Sequence, residues 1–274
     1  SVLLRLATGA IPGVVGKTQV MYSTHAPLFV ELDRFDQIRL LRKKCDDPNT
    51  PKITKVAKAD LNKVADILWS LDGQRGDKYT AATLRPRLQA VMTPWMNEGF
   101  FADLVVLVEG EGDRAALFAA ADVLGHNLPS MGICIIPGMS KNNLDRPAVV
   151  FRDLGIKTYL IWDNDKGTKD AKPQDNRRLL RLVGASEEDW PSGVRDTHAC
   201  FDPKLENVLI AEITSGIFDY YYTKAVDEFR IDKDRAIKNP FVLRYVIEGA
   251  YKEKHYSKTL TSMVEKICSL RNSG

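Results

Sequence analysis

With 274 residues, 44% of them hydrophobic, the chain is long enough for one large or two modest domains around a packed core, which excludes a disordered polypeptide. Lys and Arg number 39 against 36 Asp and Glu, and the net charge of +3 is too near neutrality to argue for or against a nucleic-acid partner. Cys45, Cys134, Cys200 and Cys268 are dispersed without a C-x-x-C pair, against a zinc ribbon or disulfide framework and for a reducing cytoplasm. No apolar run approaches the roughly 20 residues of a membrane span, and Ser1 to Val15 lacks the order of a signal peptide, so no membrane partner is expected.

In chain order, Val2-Leu3-Leu4-Arg5-Leu6 predicts a short helix, and entry on it without Met suggests a longer parent. Strands are expected at 19–24 and 37–41, with a His-Ala-Pro turn between them. Ala59 to Gly99 has helical periodicity, with Leu61, Val64, Ile67, Leu68 and Leu71 on one face, then Leu84, Leu88, Val91 and Met92 on another. From Phe100 strands alternate with helices: strand 104–108, helix 113–124, strand 133–136, helix 144–154 and strand 158–162, a compact βαβαβ unit. A helix follows through Leu182, and beyond Asp202 the chain reads as mostly helical, with breaks at 191–193 and at Asn239-Pro240. The fold class is α/β, a mostly parallel sheet flanked by helices with further helical segments. Residues 1–58 form a first block, 59–99 a helical connector, 100–200 the α/β core and 201–274 a helical C-terminal part.

Two apolar strands end in carboxylates. Leu104 to Val108 runs into Glu109, with Asp113 four residues on, and Thr158 to Trp162 runs into Asp163-Asn164-Asp165. Alternation points Asp163 and Asp165 to one side, with Asn164 away from them. Buried parallel strands present ligands at their C-terminal edge, and several carboxylates meeting there repel one another unless cations intervene. Oxygen-only ligands suit Mg²⁺ or Mn²⁺. Two such ions about 4 Å apart stabilise both the attacking and the leaving oxygen of a phosphodiester displacement. For any single carboxylate, a helix cap or a solvated loop charge remains the alternative.

Val108-Glu109-Gly110-Glu111-Gly112-Asp113, then Pro137-Gly138, then Asp163-Asn164-Asp165 resembles the Toprim domain of topoisomerases, primases and several nucleases. The resemblance implies a catalytic or metal-binding role for Glu109 and metal-ligand roles for the two aspartates. Met21-Tyr22-Ser23-Thr24-His25-Ala26-Pro27 resembles the switch-histidine strand of ABC-type ATPases, in which the His reaches a γ-phosphate. An ATPase tail followed by a Toprim domain is similar to the OLD (overcoming lysogenization defect) family of ATP-dependent nucleases. Residues 1–58 would then be the tail of an ATPase domain missing upstream, His25 a nucleotide switch only in the full-length protein, and a homodimer of that protein stays open. Gly13 to Thr18 imitates a P-loop ending, but Ile11 stands where its first Gly must fall, so Gly16-Lys17-Thr18 is taken as a surface turn and no ATPase activity is expected of this chain.

Phe201 to Glu206 resembles the family's later acidic segment, which makes Glu206 a further metal ligand, beside a helix-start acid as the alternative. Ala236 to Pro240 resembles its Lys-x-Pro segment, whose lysine, here Lys238, stabilises developing phosphate charge. Gly138 and Lys141 form a candidate phosphate loop, and Arg177, Arg178 and Arg181 a stripe suited to a DNA backbone. In each case solvated charge is the alternative. The expected activity is a two-metal DNA endonuclease, cytoplasmic, with Glu109, Asp113, Asp163, Asp165 and Glu206 holding two Mg²⁺ or Mn²⁺ ions. A topoisomerase-like or primase-like Toprim enzyme and a non-catalytic metal-binding regulatory domain are the alternatives.

Overall fold

A computed structural model of the chain describes residues 2–13, 18–30, 32–44, 50–91 and 94–272. Gly16 and Lys17 of the expected surface turn, Cys45, and Met92 of the connector lie outside the described residues. Helix α1 (Val2–Ala7) opens the chain. The stretch 19–24, expected as a strand, is irregular and leads into a single turn at Pro27–Phe29, because among the described residues no strand lies alongside to receive its backbone N–H and C=O groups. The second expected strand begins later, as β1 (Leu40–Lys44), which pairs antiparallel with β2 (Ile53–Ala57). The sequence does not announce β2, whose residues are mostly exposed and so lack the run of buried apolar positions that marks a core strand.

The connector holds α2 (Leu61–Leu71), α3 (Ala81–Gln89) and α4 (Pro94–Glu98). Asp60 starts α2 by accepting hydrogen bonds from the N–H groups of Asn62 and Lys63 at 2.8 and 3.0 Å, and Val64, Ala65, Leu68 and Leu71 turn its apolar stripe inward. The alternating region follows as β3 (Leu104–Val108), α5 (Glu111–Val123), β4 (Ile133–Pro137), α6 (Asp145–Asp153), β5 (Lys157–Asp163) and α7 (Pro173–Val183). Then come two strands that the sequence did not announce, β6 (Gly193–Val194) and β7 (His198–Phe201). The chain closes with α8 (Leu205–Glu212), α9 (Ser215–Phe229), α10 (Lys233–Ala236), α11 (Pro240–Lys252) and α12 (Lys258–Asn272).

The central sheet has the order β4-β3-β5-β7-β6, parallel except for the short edge strand β6. Alternation along its strands divides the core in two. Leu104, Val106 and Val108 of β3 with Tyr159 and Ile161 of β5 pack beneath α5, α9, α11 and α12. Val105, Leu107, Leu160 and Trp162 pack on the other face, with α2, α3, α6 and α7. All five apolar side chains of β3 are buried, each worth about 1.5–3 kcal/mol of burial, so that strand anchors both layers. This is an α/β fold, a mostly parallel sheet covered on both faces.

Connectivity fixes where a ligand would sit. From β3 the chain crosses to one side through α5, and from β4 it returns past β3 to β5 through α6 on the opposite face, as right-handed crossovers require. From β5 it continues away through α7. The connections leaving β3 and β5 therefore diverge to opposite faces and open a crevice at the C-terminal ends of these adjacent strands. Glu109 and Asp163 stand at those ends.

Candidate metal centre

Glu109 directly follows β3, Asp113 lies in the first turn of α5, Asp163 ends β5, and Glu206 lies in the first turn of α8. Backbone donors orient three of them. Gly110 N–H donates to Asp113 Oδ2 at 2.7 Å, Leu205 N–H to Asp163 Oδ1 at 3.0 Å, and Asp163 N–H to Glu109 Oε2 at 3.4 Å. Asp113, at the third position of its helix, takes the reciprocal half of a capping box, which a glycine cap leaves without a side-chain donor or acceptor.

Burial pushes the Asp163 carboxyl up to about 9, and the negative charges of Asp113, Glu109 and Glu206 add to the shift. Burial likewise pushes Asp113 up to about 7, with Glu109 and Glu206 contributing. Glu109 is raised by burial, against the opposing charge of Lys141. The four groups thus share one electrostatic neighbourhood, and among the described residues none of them forms an ion pair. No three Asp, Glu, His or Cys side chains among the described residues stand as a preformed metal cage. The donor set, four carboxylates with oxygen as the only ligand atom and no ion pair among the described residues, is of the chemistry a hard divalent ion prefers, with the charges of Lys141 and Lys204 opposing it at Glu109.

Asp165 belongs to a different arrangement from the one its spacing suggested. β5 ends at Asp163, and Asp165 takes a left-handed conformation with φ of 61°, so strand alternation no longer governs where it points. Its N–H donates to Pro203 C=O at 3.0 Å, and it is 6% exposed. Lys141 Nζ donates to Asp165 Oδ2 at 2.5 Å, and Lys204 Nζ lies 3.3 Å from Oδ1. Lys141 is itself buried, so it is neither a solvent lysine nor open to a phosphate as it stands. Asn176 accepts from Lys141 Nζ at 3.4 Å and from Trp162 Nε1 at 3.1 Å, and its amide donates to the carbonyls of Asn164 and Asp189. Asn164 is fully buried and donates to Pro191 C=O at 3.0 Å.

Gly138 sits where β4 meets its loop, and a Cβ there would lie 2.6 Å from Leu144 Cδ2, so the glycine lets this loop close over Leu144. The arginine stripe is engaged within the protein. Arg177 pairs with Asp189 at 2.5 Å, Arg181 with Glu187 at 3.0 Å, and Arg178 with both Asp72 at 2.8 Å and Asp145 at 2.5 Å. Lys238 is exposed in the turn between α10 and α11, and His25 is exposed in the loop ahead of Pro27. Sequence reasoning passed over Lys204 and Asn176. Lys204 immediately precedes the Leu205-Glu206 pair at the start of α8, which was its available signal, whereas nothing in a lone Asn176 announced a buried bridge.

A family model for the "Overcoming lysogenization defect protein-like, TOPRIM domain" matches residues 100–165. An "OLD nuclease" from Thermus scotoductus is 28% identical over 160 residues, which is 58% of this chain and 27% of that protein. The match thus spans about a quarter of the relative's length. Among solved structures, the C-terminal region of the Burkholderia pseudomallei OLD protein is 21% identical, with a TM-score of 0.43, over 62% of this chain and 99% of that one. The C-terminal region of the Xanthomonas campestris pv. campestris OLD protein is 18% identical, with a TM-score of 0.44, over 64% and 98%. The family match runs from the residues leading into β3 through Asp165, and over residues 100–165 this chain is similar to an OLD-like Toprim domain.

Proposed function

We propose that this chain is the nuclease region of an OLD-family protein and hydrolyses DNA phosphodiester bonds with Mg²⁺ or Mn²⁺. The observation that carries this reading is the shared electrostatic neighbourhood of Glu109, Asp113, Asp163 and Glu206 at one sheet edge, where among the described residues none of them is ion-paired. The name of the Thermus scotoductus relative and the Toprim match agree with it. A divalent ion held there would supply a Lewis acid for the phosphate and would lower the pKa of water so that it can serve as the nucleophile. The protein's part is to hold the carboxylates in place. The Leu205 and Gly110 N–H groups fix Asp163 and Asp113, and the β3–β5 ladder fixes Glu109 relative to Asp163. Lys238 and His25 belong to this reading on the family resemblance alone, as do the ATPase tail over 1–58 and the cytoplasmic setting. Among the described residues no helix is long and apolar enough to cross a membrane.

The test is cleavage of supercoiled plasmid by the purified chain with Mg²⁺, Mn²⁺, Ca²⁺ or EDTA, beside Asp163→Asn. Nicked or linear product that needs Mg²⁺ or Mn²⁺ and disappears in the variant is expected. Cleavage that persists in EDTA, or at wild-type rate in Asp163→Asn, overturns the reading.

A further inference from the structure

A cleft of about 370 Å³ opens at the other end of the sheet from Glu109 and Asp163. Leu104 lines it from the start of β3, Lys157 and Thr158 from the start of β5, and Arg152 from the last turn of α6. Asp196, between β6 and β7, and Leu270 of α12 stand at it as well. Lys157 and Asp163 are the two ends of β5, so at about 3.3 Å per residue the cleft lies roughly 20 Å from the candidate metal centre. We propose that this cleft binds the phosphate group of a small molecule, with the Arg152 guanidinium and the Lys157 ammonium as its cationic partners. Such a site stands whether or not the carboxylates at the opposite edge hold a metal.

Arg152 is partly buried and forms no ion pair among the described residues. Its Nε donates to Thr158 Oγ1 at 2.5 Å and its Nη1 to Leu182 C=O at 2.6 Å. Those two bonds fix the guanidinium and leave Nη2 as the donor available to a ligand in the cleft. A charge withdrawn from water ordinarily has an opposite charge against it, because an unpaired one is costly. Here burial lowers the pKa of Arg152, and no neighbouring carboxylate offsets that shift. Lys157 Nζ donates to Leu270 C=O at 3.1 Å, and it too has no carboxylate partner among the described residues. Asp196, the acid on the lining, is already engaged by Lys266 Nζ at 2.5 Å. Thr158 Oγ1 accepts from Arg152 and so keeps its own hydrogen to donate. Two cations without counter-charge match a phosphate monoester, which is close to doubly charged at neutral pH, better than a singly charged carboxylate. The volume lies near the lower end of the range typical of small-molecule sites, room for a phosphate and a modest organic body.

Calorimetric titration of the full chain tests the site, in EDTA so that no divalent ion carries the anion. The titrants are inorganic phosphate, a nucleoside 5′-monophosphate, acetate and a short DNA duplex, each also run on Arg152→Gln and Lys157→Gln. Expected are one phosphate-bearing ligand per chain and no measurable acetate binding. Affinity should fall by about tenfold or more in Arg152→Gln and by a smaller factor in Lys157→Gln. Tighter binding of the nucleotide supports a phosphate carried on an organic body, and equal binding of the two supports recognition of the phosphate group alone. Circular dichroism identifies a variant that does not fold, and the exposed Lys157 keeps the test available. Absence of binding by both phosphate ligands, or binding unchanged in the folded variants, overturns the proposal. Acetate bound as tightly as phosphate, or a duplex that displaces bound phosphate, overturns it too, the latter by giving the two cations to a DNA backbone.

Discussion

The N–H of Asp163 donates to Oε2 of Glu109 at 3.4 Å, tying the end of β5 to the residue that leaves β3. Two carboxylates from adjacent strands are thereby brought together by the sheet itself, ahead of any ligand. The cost is that of burying the carboxylates, to which their mutual repulsion adds.

That cost predicts a gain on removing one charge. Asp163→Asn retains an oxygen to accept from Leu205 N–H but carries no charge, so in EDTA its Tm is expected to rise by a few degrees over the wild type. Added Mn²⁺ at about 100 times its Kd should stabilise the wild type by about 3 kcal/mol and the variant much less. Calorimetric scans with and without Mn²⁺ check both. A drop in Tm for Asp163→Asn in EDTA would contradict it.

His198 predicts an acid sensitivity. Its ring stacks on Trp162 with centroids 5.1 Å apart, its Nε2 is buried without a hydrogen-bond partner, and burial, with Arg195 nearby, lowers its pKa to about 4. The unfolded chain takes up this proton near pH 6.5 and the folded protein only near 4. The stability tied to a neutral His198 is therefore complete above pH 6.5 and is lost as pH falls from 6.5 towards 4, by up to about 3 kcal/mol. His198→Phe keeps the stack and removes the proton, and urea unfolding over that pH range should show a flatter dependence for it.

Arg178 and Arg177, neighbours in the same helix, should behave differently. Arg178 joins Asp72, just past the end of α2, to Asp145, which is fully buried. Arg178→Met strands that carboxylate and is expected to cost about 3–5 kcal/mol of stability. The Arg177 pair with Asp189 is nearly half exposed, so Arg177→Met should cost no more than about 1 kcal/mol. Denaturant titration of the two variants distinguishes them.

Gly249 of α11 packs against Tyr221 of α9. A Cβ there would lie 2.3 Å from Tyr221 Cδ1 and 2.6 Å from its Cγ, too near the root of the ring for a simple rotation to relieve. Gly249→Ala is expected to destabilise the fold by about 1–3 kcal/mol, while Gly249→Ala combined with Tyr221→Ala recovers part of that loss. A double-mutant cycle read by thermal melting measures the coupling.

Much of the core was legible in the sequence because its signals are local. The apolar runs 104–108 and 158–162, bounded by charge and glycine, are sufficient to specify buried strands, and the stripe on α2 follows from spacing alone. β6 and β7 were not legible. Four residues from His198 to Phe201 carry no periodicity, and they form a strand only because β5 offers its open edge. The 19–24 stretch shows the converse, strand-like residues that find no strand alongside among the described residues.

At the site, the sequence by itself placed Glu109, Asp113 and Asp163 along one edge of the sheet, because each is fixed to the end of a strand or the first turn of a helix. Only the tertiary structure decided the fate of Asp165. Spacing placed it with Asp163, but the strand ends at Asp163, two residues too early for alternation to reach it. Its partners, Lys141 after β4 and Lys204 before α8, come from elements that are distant in sequence. Which charges neutralise one another is set by three-dimensional proximity and burial, and one-dimensional spacing carries no record of either.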